Sequence, residues 1–274
     1  MRNLSLPKLL LLAVIATTTL QSCKDDAFLL NPPPSPNVSF TEEFDTASAV
    51  LAKGWKFINT TFPRGGNVWQ DGGDVLNPFF NAFSQRGSYA GFIGASFAST
   101  TADQGMISNW LVSPSMLIKN GDKIIFYTRA QVLPGTVAGD TTDYGNRLQV
   151  RINSTGDELN MGSMQSLYES TITPFPDGAD NPGAFDISLL DINPFQIEWH
   201  KLPGVSAFDN RPYNATTNLS AYPVRWTRFE VTVRSLNRPL KSRFAFRYYV
   251  EKGGNNGFAT GVGIDKLEYI SAAN

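Results

Sequence analysis

The 274-residue chain contains a single cysteine and a single histidine. One Cys excludes an intrachain disulfide, and one His excludes a multi-histidine metal site. A Cys–His nucleophilic centre is excluded as well, because the Cys stands at position 23, where export processing acts. An excess of one charge is also missing. Lys and Arg number 23 against 24 Asp and Glu, a formal net charge of -1, so the chain lacks the electrostatic footprint of a nucleic-acid binder. The apolar run at residues 9–15 is too short for an ordinary bilayer-spanning helix. Long stretches of 3.6-residue period are absent too, which argues against a helical architecture.

What is present begins at the N-terminus. Arg2 and Lys8 flank the start of that short apolar run, the pattern of a secretory signal. Leu20-Gln21-Ser22-Cys23 follows and resembles a bacterial lipobox, which implies cleavage before Cys23 and acylation of its sulfur and amine. Several acyl chains on one residue anchor firmly, at about 0.8 kcal/mol per buried methylene. The alternative is an ordinary cleaved signal with an incidental Cys. Lys24-Asp25-Asp26 resembles the signal that exports some Gram-negative lipoproteins to the outer face of the outer membrane. The Pro-rich stretch at residues 31–36 is a stiff spacer. The expected organisation is a signal peptide over 1–22, a lipidated N-terminus and linker over 23–37, and one folded domain over 38–274. The expected address is the outer membrane, held to the bilayer through Cys23 and facing the exterior.

Beyond residue 38 the composition favours strands and turns, with 12% aromatics, 23 Gly and 17 Pro. GMISNWLVSPSMLIKNGDKIIFYTRA reads as two strands joined by a hairpin-type turn at Asn120-Gly121-Asp122. RLQVRIN has the cleanest period of two, with Leu148, Val150 and Ile152 inward and Gln149, Arg151 and Asn153 outward. RFEVTVR and RFAFRYYV repeat it, and GVGIDKLEYI closes the domain. A short helical turn is expected at residues 46–53, ended by Gly54. Outward Arg228, Arg234, Arg243 and Arg247 read as a solvated sheet face, with a basic face for acidic glycans as the alternative. Asp71-Gly72-Gly73-Asp74 reads as a solvated Asx turn, with a calcium loop as the alternative. Strands with one apolar face imply an all-β fold, an antiparallel β-sandwich.

Four segments, NWLVSP with LIKNGDKIIFYTRA, NRLQVRIN, LLDINP with YPVRWTRFEVTV, and SRFAFRYYV with GVGIDKLEYI, resemble the choice-of-anchor J domain. That group is related to cleaved-adhesin domains and has a jelly-roll sandwich of MAM or carbohydrate-binding type. The resemblance implies a jelly roll without catalytic activity. It also implies a structural calcium between an acidic residue of the first strand, Glu42 or Glu43, and Asp265 of the closing I-D-x-L motif; a hydrogen-bonding partner or a plain surface Asp is the alternative. The chain departs from the pattern between Asn193 and Tyr222, where the insertion at 194–221 carries Trp199, His200, Arg211 and Tyr213. Such residues either bind a ligand by stacking or fold down as a plug over one end of the core.

The functional expectation is a non-catalytic surface binding or adhesion module for a glycan or an extracellular protein. An accessory subunit of an outer-membrane complex would use the same residues. A jelly-roll glycoside hydrolase or lyase would need two carboxylates facing across a cleft, and Glu158, Asp177, Asp186 and Glu198 are the candidates. Thr46 and Thr141, in Asp-Thr motifs, resemble bacterial O-glycosylation acceptors.

Overall fold

Alternating apolar side chains form two antiparallel sheets whose inner faces meet. The computed structural model describes residues 38–75, 80–85, 88, 90–134, 141–162, 181–198 and 221–273. Its strands are β1 (Phe40–Glu42), β2 (Lys56–Asn59), β3 (Gln70–Asp71), β4 (Ile93–Ser96), β5 (Gly105–Val112), β6 (Met116–Ile118), β7 (Lys123–Ala130) and β8 (Leu133–Pro134). They continue with β9 (Thr141–Thr142), β10 (Leu148–Ile152), β11 (Ile187–Ile192), β12 (Thr227–Thr232), β13 (Leu240–Ser242), β14 (Phe244–Gly253) and β15 (Gly261–Ile270). The first sheet runs β12-β7-β15-β4-β3 with β1 added on β15, and the second runs β11-β10-β14-β5-β2. Strands β4, β5, β7, β10, β11, β12, β14 and β15 thereby divide into β4-β15-β7-β12 and β5-β14-β10-β11, the connectivity of a jelly roll, with only the β10–β11 connection staying within one sheet. The fold is an all-β antiparallel jelly-roll sandwich, as the resemblance implied.

The core lies where the inward rows interdigitate. Ile124 and Phe126 of β7, Val262 and Ile264 of β15 and Phe229 of β12 face Leu148, Val150, Phe244, Phe246 and Tyr248 of the second sheet. Phe126 and Phe246 meet edge-on across the layers at 4.8 Å between ring centroids. Full burial of each such side chain contributes about 1.5–3 kcal/mol.

The Asn120-Gly121-Asp122 turn is real, with Gly121 at φ 94, but it does not make a hairpin. β6 pairs with β13, and β7 pairs with β12 and β15, so the turn is a corner between layers. The Asp122 carboxylate holds that corner by accepting from the Lys119 N–H at 2.8 Å, the Ala272 N–H at 2.8 Å and the Tyr269 hydroxyl. Helix α1 (Ala47–Ala52) forms as expected. The Thr46 hydroxyl accepts from the Ala49 N–H, Asp71 accepts from the Ala47 N–H, and Gly54 follows at φ 94. Asp71 therefore caps a helix rather than standing in a solvated turn, and it is followed by the short helix α2 (Gly72–Val75).

One reading of a sheet face needs correction. Gln149, Arg151 and Arg247, expected on a solvated face, are 2%, 8% and 0% exposed. The segment after β10 folds back over this face: the Asn160 carbonyl accepts from the Ala184 N–H, and Met161 and Phe185 pack on Trp110, Val112 and Ala245. Arg247 lies over Trp110 and Tyr249, 4.8 and 4.1 Å from the ring centroids, and donates to Ser108 Oγ and Gln149 Oε1. Of the outward arginines, Arg228 pairs with Glu230, and Arg243 donates to the carbonyls of Asp157 and Ser113. β15 carries an irregularity that the sequence does not announce. Its pairing shifts register between Asp265 and Glu268, with Lys266 at φ 45. This bulge reverses the alternation, so Ile264 and Leu267 face the core while Asp265 faces outward.

Candidate ligand-binding site

A site with two exposed aromatic side chains is built where β11 ends. Asn193 follows it in the left-handed region at φ 59, a conformation that Asn tolerates better than most side chains. Its amide closes the next turn on itself. Nδ2 donates to the carbonyls of Asn146 and Ile197 at 2.9 and 3.0 Å, and Oδ1 accepts from the Ile197 N–H at 2.9 Å. Gly145 fits beneath the turn because a Cβ there would fall 2.2 Å from the Gln196 carbonyl oxygen. With its backbone fixed, the turn sends its side chains opposite ways. Ile197 packs against the cluster of Ala221, Val224 and Val132, while Phe195 is 65% exposed.

The facing wall is the end of β14 and the turn beyond it. Gly254 turns the chain at φ 105, the Asn256 N–H donates to the Asp103 carbonyl at 2.9 Å, and the Phe258 N–H donates to the Lys252 carbonyl. That turn presents Phe258 at 43% exposure. Between the walls is a cleft of about 240 Å³ lined by Phe195, Gln196, Glu198, Glu251, Lys252 and Phe258. Gln196 Oε1 accepts from the Glu251 N–H at 3.2 Å and ties the walls together.

The floor beside the cleft carries a charge network. Arg147 forms a bidentate pair with Asp191 at 2.9 and 2.6 Å, approaches Glu251 at 3.5 Å and lies over the Tyr249 ring at 5.0 Å. Burial pulls the Arg147 guanidinium down, but the hydrogen bond and charge of Asp191 more than offset it, so it is held above its ordinary value. The cleft thus combines two exposed aromatic side chains with an amide, two carboxylates and an ammonium group. Such a lining offers apolar faces and convergent polar groups side by side.

A larger cleft of about 310 Å³ lies by the first strand, lined by Val38, Phe40, Trp55, Pro114 and Met116. Its charged groups are spent on each other: Lys53 Nζ reaches Glu42 Oε1 at 2.8 Å. It offers an apolar groove with little polar discrimination.

The other sequence-predicted residues are placed as follows. Cys23, Lys24, Asp25, Asp26, Asp177, Trp199, His200, Arg211 and Tyr213 lie outside the described residues. Thr46 is the N-cap of α1, and Thr141 stands in β9. Glu198 lines the aromatic cleft with Glu251, a carboxylate that sequence reading did not select. Glu42 pairs with Leu267, on the core side of the bulge, whereas Asp265 faces outward, so the two are not brought together. Asp265 Oδ2 accepts from the N–H groups of Phe83 and Ser84 at 2.7 and 3.0 Å, and Oδ1 accepts from the Ser84 hydroxyl at 2.9 Å. Both carboxylates are engaged by protein donors, and among the described residues there is no group of three or more His, Cys, Asp or Glu that could hold a metal ion. Phe195 and Phe258 were missed because a Phe in a sequence reads first as core. Their signal was local, a Phe directly after Asn-Pro and another at the end of Gly-Gly-Asn-Asn-Gly.

No family model matches the chain, and no curated protein matches it. Among solved structures, the K1 cleaved adhesin domain of Lys-gingipain from Porphyromonas gingivalis superimposes with a TM-score of 0.45 at 16% identity, covering 86% of this chain and 98% of that one. The K2 domain of Lys-gingipain gives 0.44 at 12% identity, covering 85% and 99%. The K3 domain from Porphyromonas gingivalis gives 0.42 at 17% identity, covering 86% and 100%. At scores below 0.5 these likenesses say nothing of what this chain binds.

Proposed function

We propose that this chain is a non-catalytic binding module that captures a glycan in the Phe195–Phe258 cleft, on a domain tethered to the outer membrane through acylated Cys23. The tether rests on Leu20-Gln21-Ser22-Cys23 and the Lys24-Asp25-Asp26 that follows. The binding reading rests on one observation: two exposed aromatic side chains are held by closed turns on either side of a polar-lined cleft. Aromatic faces take the C–H faces of sugar rings, and Gln196, Glu198, Glu251 and Lys252 supply acceptors and donors for hydroxyls. Fixed turns also reduce the ordering cost of binding. Glu251 is engaged by Arg147, which suits a binding acceptor better than a free general acid.

A glycan-array screen of the purified full-length protein tests this. Selective capture of one class of oligosaccharide is expected, and Phe195→Ala should weaken it without moving the melting temperature, because the ring is exposed. A blank array from folded protein would overturn the glycan reading and favour a subunit that docks a neighbouring protein.

A further inference from the structure

The strands of the second sheet carry another pocket at the end away from the Phe195–Phe258 cleft. That cleft lies where β11 and β14 end. At the other end β10 leaves the sheet at Ile152, which pairs with Ile187 at the start of β11 and Phe244 at the start of β14. Beside this corner is a cavity of about 280 Å³, lined by Ser154 and Thr155 on one side and by residues 235–238 and Leu240 on the other. Both walls are fixed by asparagine amides. Oδ1 of the buried Asn153 accepts from the N–H and hydroxyl of Thr155 at 2.8 and 2.9 Å and from the Gly156 N–H at 3.0 Å. Asn120 brackets the facing wall: its Oδ1 accepts from the Leu236 N–H at 3.1 Å, and its Nδ2 donates to the Leu236 carbonyl at 2.7 Å. Val233 is tied to the backbone of Gly121 and Asp122. Between these two anchors Ser235 is held at φ 72, in the left-handed region that disfavours serine.

What these walls present is polar and positively charged. The lining contains one guanidinium, Arg238, and no carboxylate. Asp157, two residues beyond Thr155, is committed elsewhere: it accepts from the Ser115 hydroxyl at 2.6 Å and pairs with Lys241 at 3.1 Å. Among the described residues no hydrogen bond or ion pair engages the side chains of Ser154, Ser235, Asn237 or Arg238. A lone exposed arginine would be ordinary surface. Here the guanidinium shares one concave site with two uncommitted hydroxyls and an uncommitted amide, and a strained residue is held in the wall, as at ligand clamps.

We propose that this cavity binds one oxyanionic group, a carboxylate, sulfate or phosphate, carried by a small ligand. Arg238 supplies the charge, and Ser154, Ser235 and Asn237 supply further donors. A guanidinium fork matches two oxygens of such a group, and hydroxyl and amide donors satisfy the remaining lone pairs. The site is separate from the Phe195–Phe258 cleft and does not rest on the glycan reading.

The test is an NMR titration of the full-length protein at low ionic strength with sodium sulfate, sodium phosphate and sodium glucuronate in separate arms. Sodium chloride at matched ionic strength is the control. The backbone amide resonances of Thr155, Leu236 and Asn237 should shift saturably with at least one oxyanion and not with chloride. The arm that saturates at the lowest concentration names the group. Arg238→Gln should weaken that binding by about tenfold or more, as expected for the loss of one charge-assisted hydrogen bond. Ser235→Gly suits the positive φ while removing the hydroxyl, and should weaken it by about threefold. Arg228→Gln, at an arginine paired with Glu230 on the other sheet, should leave it unchanged. Shifts that are linear and equal to those in chloride, or binding that survives Arg238→Gln undiminished, would overturn the proposal. Arg238 is exposed, so the fold does not depend on its side chain.

Discussion

Arg247 and Asp265 show how far a single side chain departs from its sequence pattern. Arg247 alternates with Phe246 and Tyr248 as a solvent-facing residue would, yet it is fully buried between Trp110 and Tyr249. Lysine keeps the charge but loses the planar group that covers two rings and donates to Ser108 and Gln149. Arg247→Lys should therefore destabilise by about 2 kcal/mol or more, read by chemical denaturation; a change within experimental error would mean the stacking contributes little. Asp265 carries a pH signature. Burial raises its carboxyl above 3.8, and the hydrogen bonds from Ser84, Phe83 and Lys266 only partly offset that. A raised folded-state pKa contributes stability present below the unfolded value and lost as pH rises through the folded one. Relative to Asp265→Asn, the wild type should gain melting temperature as pH falls from 7 towards 4. A gap moving the other way would mean that the hydrogen bonds outweigh burial.

At the scale of strands and turns, the inner rows were readable and the exceptions were not. Leu148, Val150 and Ile152 announce their face by alternation alone, and they sit in the core. The same alternation places Gln149 and Arg151 in solvent. They are covered by Met161, Phe185 and the chain around them, a non-local event that no period of two can register. The β15 bulge is likewise silent, since Lys266 is not a residue that advertises a positive φ. That bulge matters for the calcium expectation, because it turns Asp265 away from the face where Glu42 lies. Glu42 is held by Lys53 and Asp265 by Ser84, so each carboxylate has a protein partner. Excess chelator should leave the melting temperature within about 1 °C, and a drop of about 5 °C or more, on the order of 2 kcal/mol for a domain of this size, would support a structural calcium. Of the candidate cleft, the insertion at 194–221 contributes Phe195, Gln196 and Glu198, whereas Glu251, Lys252 and Phe258 lie outside it, and Phe195 and Phe258 emerge only when Asn193 and Gly254 turn them outward.

At the largest scale, the unit over Asn37–Ala273 is a jelly roll. The two walls of the aromatic cleft come from chain segments far apart in sequence, and the sandwich holds them together through Gln196 and the Arg147 network. Binding without turnover is the central claim, and both halves can be read in one titration. The measurement is the equilibrium binding of the best oligosaccharide from the array to wild type and to Phe195→Ala/Phe258→Ala, with the mass of the sugar checked after overnight incubation. The account predicts saturable binding of an intact sugar to the wild type and at least about tenfold weaker binding to the variant, as expected for the loss of two aromatic contacts, at an unchanged melting temperature. Equal affinity in both proteins, or a cleaved sugar, would contradict it.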